Sequence, residues 1–251
     1  METINANVLK LRKLGDQQPA YVIILVSGSE TNSYFKIKAR PGGMRNMDNK
    51  IKEMLVGLTI GDGHIQKKDS KEYNYTQYTI HLRHCAKQKE YIEYKAKILE
   101  DIFGTEVKVH FINNSGYPGY YCEKSGKILK EIRELLYPNG KKHITKECLE
   151  LLTPETLAIW YMDDGSLSAR RKNGKISSYE MTLNTYVSDE EHEVIIAYFL
   201  EKWGVRFSKA KSHNGYRLRC GTIEARKFIK IIDPYVIPSM QYKTNISKKD
   251  S

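Results

Sequence analysis

The chain carries one short pattern twice, about 100 residues apart, in which an apolar segment ends in Asp-Gly. The first copy ends at Asp62-Gly63 and the second at Asp164-Gly165. Each segment predicts a buried helix, and its final glycine predicts a left-handed residue that closes the helix. An aspartate in the last helical turn meets the negative end of the helix dipole, which costs a few tenths to about 1 kcal/mol. Because this unfavourable placement occurs on two apolar helices, we expect both carboxylates to hold a cation.

Two further features recur at nearly the same spacing. Phe103-Gly104 and Trp203-Gly204 each close a predicted helix, while Lys142 and Lys243 each follow a proline turn. A repeat of this length is far longer than the roughly 20–50 residues of a solenoid unit. The sequence therefore predicts one domain that has been duplicated and fused.

The charge balance indicates a polyanionic partner. Of the 251 residues, 41 are Lys or Arg and 30 are Asp or Glu, so the net charge is +11. This excess favours nucleic acid or an anionic membrane surface as the partner. No apolar run approaches the roughly 18 residues that span a bilayer, and the first residues resemble neither a secretory signal nor a transit peptide. We therefore expect no membrane partner.

The cysteines indicate a reducing environment. They are far apart and form no CxxC pair, which favours free thiols in an intracellular compartment. The segment from His81 to Cys85 lacks a second ligand pair at a zinc-binding spacing, which disfavours a zinc cluster. The four cysteines are Cys85, Cys122, Cys148 and Cys220.

Hydrophobic periodicity predicts the same order of elements in both halves. In the second helix of the first half, Tyr91, Tyr94, Ile98 and Ile102 are predicted to share the buried stripe. Each half is predicted as an αββαββα unit with an antiparallel sheet, so the fold class is α+β. The first half is predicted as helix 50–62, strands 64–68 and 73–83, helix 87–103, strands 106–112 and 117–123, and helix 125–136. The second is predicted as helix 154–164, strands 166–171 and 176–185, helix 189–203, strands 205–212 and 216–221, and helix 222–232.

One face of each predicted sheet is polar. An antiparallel sheet with helices on one side leaves its other face to water or to a ligand. Arg, Lys, Gln and Asn are the side chains that read base edges and neutralise phosphates, and a β-ribbon fits the major groove. A merely solvated face is the alternative, but the net charge and the presence of two such sheets favour DNA. The predicted face presents Gln66, Lys68, Gln77, Thr79, His81, Arg83, Lys108 and His110 in the first half, and Ser168, Arg170, Glu180, Thr182, Asn184, Arg217 and Arg219 in the second.

The segments that end in Asp62-Gly63 and Asp164-Gly165 resemble the paired signature helices of the LAGLIDADG homing endonucleases, in their fused single-chain form. The stretches 136–142 and 152–165 resemble those that bracket the second signature in organellar intron-encoded members. The stretch 234–243 resembles their closing segment. The resemblance covers about residues 50 to 245, with one departure, since Ile159 stands where the signature has a small residue.

The resemblance implies a pseudo-symmetric, saddle-shaped protein whose two signature helices pack together through small residues such as Gly57 and Ala158. Their terminal aspartates then meet at the centre of a DNA-binding surface. Phosphodiester hydrolysis needs charge neutralisation at the phosphate, which divalent ions between two carboxylates supply. Asp62 and Asp164 are accordingly the predicted catalytic metal ligands, one for each DNA strand, with Asp163 as a neighbour. Mg²⁺ is the expected ion and Mn²⁺ a substitute, because oxygen ligands suit both.

The resemblance also implies that Lys142 and Lys243 lie near the water network around the scissile phosphates. Two ordinary surface lysines are the alternative, and the sequence leaves both readings open. We expect both lysines to assist catalysis if the first reading holds.

Three functions fit these features. A site-specific double-strand DNA endonuclease comes first, because both Asp62 and Asp164 are intact. An RNA-splicing maturase, alone or combined with the nuclease, would keep the basic surface and bind host intron RNA. A non-catalytic DNA-binding regulator would be expected to lack at least one aspartate. We expect a monomer, encoded and used in an organelle or in a bacterial or phage genome.

The predicted division of the chain is an extension at 1–49, halves at 50–150 and 151–245, and a tail at 246–251. In the extension, Tyr21–Val26 and Tyr34–Lys38 predict a hairpin, and Pro41–Gly43 a linker. We expect the extension to be a structural appendage, with an accessory DNA contact as the weaker alternative.

Overall fold

A computed structural model describes residues 48–70, 74–212 and 215–246 in full, together with the backbone of 6–7, 21–27 and 32–38. The chain divides into two units, Met1–Asn46 and Met47–Ser251. The first unit contains a three-stranded antiparallel sheet in the order β1-β2-β3. Its strands are β1 (Ala6–Asn7), β2 (Tyr21–Ser27) and β3 (Asn32–Lys38). The linker predicted at 41–43 lies outside the described residues.

The second unit begins with the first αββαββα half. Its four strands form an antiparallel sheet in the order β4-β5-β7-β6, and α2 and α3 contact one face of it. The elements are α1 (Asn49–Ile60), β4 (His64–Ser70), β5 (Tyr75–Cys85), α2 (Lys89–Phe103), β6 (His110–Asn114), β7 (Tyr117–Ser125) and α3 (Leu129–Leu136).

The second half repeats this order after a short connecting helix, α4 (Lys146–Glu150), that the sequence did not predict. Its antiparallel sheet has the order β10-β11-β9-β8, which matches the first sheet strand for strand. The predicted α+β fold with two αββαββα halves is confirmed. The elements are α5 (Pro154–Asp164), β8 (Gly165–Lys172), β9 (Lys175–Leu183), α6 (Asp189–Trp203), β10 (Ser208–Ser212), β11 (Gly215–Gly221) and α7 (Thr222–Ile232).

The third strand of each half starts later than predicted, at His110 rather than 106 and at Ser208 rather than 205. In both halves, backbone N–H groups just before this strand donate to side chains rather than to a neighbouring strand of the sheet. The Val107 N–H donates to Glu100 Oε1 at 3.1 Å, and the Arg206 N–H donates to Glu224 Oε2 at 2.7 Å. Side-chain acceptors thus satisfy backbone groups that a strand would have paired.

The glycines that follow the signature aspartates are not left-handed, so that prediction is wrong. Among the described residues, neither Gly63 nor Gly165 has a positive φ, and Gly165 has an extended backbone with φ −81°. A Cβ at Gly63 would overlap the carbonyl oxygen of Leu58, and one at Gly165 would overlap the ring of Tyr161. Glycine is required here because the backbone turns back against its own helix, whereas the left-handed caps are Gly104 and Gly204.

The two signature helices, α1 and α5, contact each other and join both halves into one hydrophobic core. Gly57 on α1 faces Thr156 on α5 so closely that a Cβ at Gly57 would lie 2.5 Å from the Thr156 Cβ. Ala158 and the bulky Ile159 are both fully buried. The close approach therefore depends on Gly57, and the core accommodates the isoleucine. Within the described part of the chain, no helix is long and apolar enough to cross a membrane.

Candidate active site

The two predicted catalytic aspartates lie at the adjoining ends of α1 and α5. Asp62 follows α1 in a turn, and Asp164 is the last residue of α5. The Asp62 backbone N–H donates to Asp163 Oδ2 at 3.1 Å, which links the two helix ends directly. The Asp62 side chain is 44% exposed, whereas Asp164 is half-buried and accepts a hydrogen bond from the Trp160 indole at 3.1 Å. Folding thus brings the two aspartates into one small area.

This crowding shifts the ionisation of both carboxyls. Burial, followed by the charges of Asp62 and Asp163, raises the pKa of Asp164 to about 7. Burial and the charge of Asp163 also raise the pKa of Asp62, against the opposing effect of nearby lysines. A divalent cation would relieve this repulsion, and carboxylate oxygens are the donors that Mg²⁺ and Mn²⁺ prefer. The residues therefore fit such an ion.

Asp163 is the counterion of a buried lysine. The side chains of Asp163 and of Lys95 on α2 are fully buried, and Lys95 Nζ lies 2.6 Å from Asp163 Oδ1. The Tyr91 hydroxyl donates to the same oxygen at 2.8 Å. Removing one partner of such a pair would leave an uncompensated buried charge. Lys95 therefore anchors α2 of the first half to α5 of the second.

His84 at the end of β5 completes this cluster. Its ring lies between two carboxylates, with Nδ1 3.7 Å from Asp62 Oδ2 and Nε2 3.8 Å from Asp163 Oδ1. Burial lowers the pKa of His84 to about 3, so the ring is neutral. The ligand atoms of these three residues lie within 4.8 Å of one another, as a metal site requires. However, hydrogen bonds already occupy both Asp163 oxygens and the Lys95 ammonium lies against Asp163, so we assign Asp163 and His84 to structure rather than to metal binding and leave Asp62 as the predicted ligand.

Lys142 and Lys243 hold the ends of the two signature helices. Lys142 Nζ donates to the carbonyl oxygens of Thr59, Gly61 and Gly63 at 2.7, 2.7 and 2.9 Å. Lys243 Nζ donates to those of Met162 and Asp163 at 2.5 and 3.1 Å. Burial lowers the pKa of each ammonium. Neither is an ordinary surface lysine, since each neutralises the negative end of a helix dipole beside a predicted catalytic aspartate.

Most residues predicted to bind DNA share one face of each sheet. Cross-strand pairs such as Gln66 with Thr79 and Ser166 with Thr182 define these faces. Thr79 and Thr182 are only 9% and 4% exposed, and they hydrogen-bond Ser125 and Ser166. They therefore lie beneath the longer side chains of the face and offer little surface to DNA. Two predicted residues lie outside strands: Lys108 is exposed in the loop before β6, and Asn184 follows β9 and donates to the Asp164 carbonyl. The residues on the strands are Gln66, Lys68, Gln77, Thr79, His81, Arg83, His110, Ser168, Arg170, Glu180, Thr182, Arg217 and Arg219.

The sequence analysis missed Lys95, His84 and the interface role of Tyr91. The fully buried side of α2 passes through Tyr91, Lys95 and Leu99, whereas Ile98 of the predicted stripe is half-buried. The available signal was Lys95 itself, a lysine four residues after Tyr91 on an apolar face.

The crowded carboxyls predict that Asp164→Asn stabilises the metal-free protein at high pH. The pKa of Asp164 is 3.8 in the unfolded reference and about 7 in the fold, so folding takes up a proton between these values and wild-type stability falls as pH rises through that window. At about 1.4 kcal/mol for each pKa unit, the variant should gain on the order of 1–4 kcal/mol at pH 8 and little at pH 4. Urea unfolding in a chelating buffer at both pH values measures this. Asp101→Asn, at a side chain 71% exposed on α2, is the control that should change little.

Comparison with known proteins places the chain in a family. Residues 52–228 match the LAGLIDADG DNA endonuclease family. The chain is 30% identical over 204 residues to Protein RecA of Mycobacterium gastri, a match that covers 76% of this chain and 46% of that protein. It therefore spans about half the length of such relatives. It is also 24% identical over 208 residues to the cytochrome b mRNA maturase bI2 of Debaryomyces hansenii, covering 78% of this chain and 74% of that protein.

Solved structures show the same fold. The homing endonuclease I-WcaI, bound to its DNA recognition sequence, aligns with a TM-score of 0.67 at 22% identity, covering 81% of this chain and 89% of that one. The LAGLIDADG meganuclease I-AabMI, bound to uncleaved DNA, aligns with a TM-score of 0.50 at 13% identity, covering 76% and 86%. With the duplicated αββαββα halves and the paired aspartates at their junction, the family match over residues 52–228 shows that this chain belongs to the LAGLIDADG DNA endonuclease family.

Proposed function

We propose that this chain is a site-specific endonuclease that hydrolyses both strands of duplex DNA with divalent metal ions. The observation that carries this proposal is the meeting of Asp62 and Asp164 at the ends of two packed helices, linked through the hydrogen bond from Asp62 to Asp163. Asp62 and Asp164 are the proposed metal ligands, with Mg²⁺ as the natural ion and Mn²⁺ as a substitute. When bound, the ions would activate water and neutralise charge at the phosphate.

The protein's own groups prepare this site. The two carboxylates provide oxygen ligands, one from each half, so each is proposed to serve one DNA strand. Lys142 and Lys243 fix the backbone on either side of them and contribute positive charge near the phosphates. We therefore propose both lysines as catalytic-site residues that act mainly by positioning the aspartates.

The polar sheet faces are the proposed DNA-binding surface. Their basic side chains would neutralise phosphates, and their amides and guanidiniums would read base edges. One chain supplies both halves, which supports action as a monomer on a long, two-part site. All four cysteines are free thiols, which agrees with a reducing compartment of an organelle, bacterium or phage host.

Cleavage of a plasmid library with and without Mg²⁺, followed by sequencing of the ends, tests this proposal. We expect Mg²⁺-dependent double-strand breaks at one long recognition sequence. Cleavage that persists in a chelator, or ends at random positions, would contradict it.

A maturase function, alone or together with the nuclease, is the second candidate. It is favoured by the similarity to the maturase bI2 over most of both chains. Equal affinity for structured intron RNA and random duplex DNA, without cleavage of DNA, would favour the maturase over the nuclease.

If Arg83 and Arg170 read guanines, Arg83→Ala and Arg170→Ala should relax base preference at separate places in the target. Arg83 lies on β5 of the first sheet and Arg170 on β8 of the second, so the effects should fall on opposite half-sites. The loss of one bidentate contact costs roughly 1–3 kcal/mol of discrimination. Cleavage of targets with single substitutions measures the change. A shift in the same half-site for both variants would disprove the assignment.

A further inference from the structure

Glu180 on β9 is a carboxylate on the proposed DNA-binding face. Its side chain is only 17% exposed and lies between two arginines of neighbouring strands. Arg170 Nη2 on β8 donates to Glu180 Oε1 at 2.8 Å, and Arg219 Nη1 on β11 lies 3.6 Å from Glu180 Oε2. These three residues therefore form an Arg-Glu-Arg group that spans three strands.

A negative charge is unfavourable on a surface that binds a polyanion. Here two guanidiniums more than compensate it, so the group keeps a net positive charge. The arginine side chains remain 61% and 50% exposed although each has an end held by the carboxylate. Each guanidinium has five N–H donors, so most remain free to bind another partner.

We propose that Glu180 is a specificity-determining residue, which orients Arg170 and Arg219 so that each reads a guanine. Guanine offers O6 and N7 together in the major groove, and arginine is their usual bidentate partner. Holding a long side chain in one orientation beforehand lowers the entropy lost on binding. This inference rests on the proposed function. It specifies that the half-site bound by the second sheet contains G·C pairs that Arg170 and Arg219 recognise.

The register predicts two separate positions for these guanines. Arg219 lies opposite Thr182, one residue from the end of β9 that pairs with Gly165 beside the catalytic Asp164. Arg170 lies opposite Ser178, farther along the same strand. The two guanidiniums contact different oxygens of Glu180 from strands on either side of β9, so each is placed to read its own base pair, with Arg219 nearer the cleavage centre.

The polar face of the first sheet has no equivalent of the Arg-Glu-Arg group among the described residues. On the corresponding face, Glu123 lies 3.1 Å from His81, whose other ring nitrogen contacts Gln66 at 3.3 Å. Gln77 and Thr79 both hydrogen-bond Ser125. Among the described residues, only the second sheet has an acid that bridges two arginines, so the Glu180-dependent preference belongs to one half-site.

Binding selection from a random duplex library tests the proposal without requiring cleavage. The full chain and its Glu180→Gln, Arg170→Lys and Arg219→Lys variants would be compared. We expect wild type to enrich guanine at two positions of one half-site. Glu180→Gln should weaken both preferences by roughly 5- to 100-fold without reducing total affinity, since it removes a negative charge. Arg170→Lys should weaken only the outer preference and Arg219→Lys only the inner one.

Glu123→Gln in the first sheet is the matched control and should leave both guanine preferences unchanged. An unchanged preference in Glu180→Gln would overturn the proposal. Loss of a G·C preference in Glu180→Gln but in neither arginine variant would also overturn it, because Glu180 would then read the cytosine N4 of that pair directly. Sequence-selective binding without Mg²⁺-dependent cleavage would instead refute the nuclease and leave this inference standing.

Discussion

Asp62→Asn and Asp164→Asn should each abolish double-strand cleavage while leaving DNA affinity within a few-fold of wild type. Each change removes one proposed metal ligand, and the loss of charge stabilisation at a reacting phosphate lowers rates by at least about 10²–10³-fold. Affinity should persist because removing a negative charge cannot weaken attraction to a polyanion. Conversion of supercoiled plasmid to linear and open-circular forms measures the cleavage, and titration of labelled target measures the binding.

The two variants also test whether each aspartate serves one strand. If each carboxylate acts mainly on one phosphate, a variant that still reacts should yield open circles rather than linear plasmid. Asp101→Asn on the exposed side of α2 is the control and should cut like wild type. Wild-type rates of double-strand cleavage by either active-site variant would show that the assignment of the metal ligands is wrong.

DNA binding should fall steeply with salt, by about 10³–10⁵-fold between 50 and 200 mM for roughly six to ten phosphate contacts. The physical reason is the release of counterions when basic side chains neutralise phosphates. Two sheets along the groove would contact roughly two turns of about 10 base pairs each. The slope of log affinity against log salt concentration measures the salt dependence. A footprint measures the length of the DNA site that the protein covers.

Two lysine variants test whether phosphate contacts come from the proposed DNA-binding face or from the rest of the surface. Lys68→Ala on β4 should reduce the salt slope by about 1 if this residue contacts a phosphate. Lys97→Ala, at a side chain 67% exposed on α2, should leave the slope unchanged. A footprint confined to one half-site, or equal loss of slope in both variants, would contradict binding by two sheets.

Local sequence patterns predicted most of the architecture. The period of two in 73–83 and 176–185 identified strands whose polar sides form one face, because alternation is a property of each strand alone. The helix ends at Gly104 and Gly204 were also predictable, since a left-handed cap needs only neighbouring residues. The repeated Asp-Gly pattern placed the aspartates at the ends of two apolar helices. Their roles as metal ligands stay predictions.

Local sequence patterns could not predict contacts between distant parts of the chain. The Lys95–Asp163 ion pair joins residues 68 positions apart, and Lys142 reaches carbonyls more than 75 positions away. Only packing against another element shows that the charges of Lys95 and Lys142 are buried and which groups bind them. Likewise, Gly63 and Gly165 were correctly seen to need glycine, but for the wrong reason, because the close approach that excludes a Cβ appears only after the helix packs.

The sequence by itself thus determined the duplication, the order of helices and strands within each half, and most of the residues on each sheet face, because all of these follow from neighbours and periodicity. The tertiary structure alone decided that the lysines cap the signature helices, that Asp163 neutralises Lys95, and that Glu180 bridges two arginines. These outcomes depend on which charges become close neighbours once water is excluded, and that is fixed by the packing of distant segments.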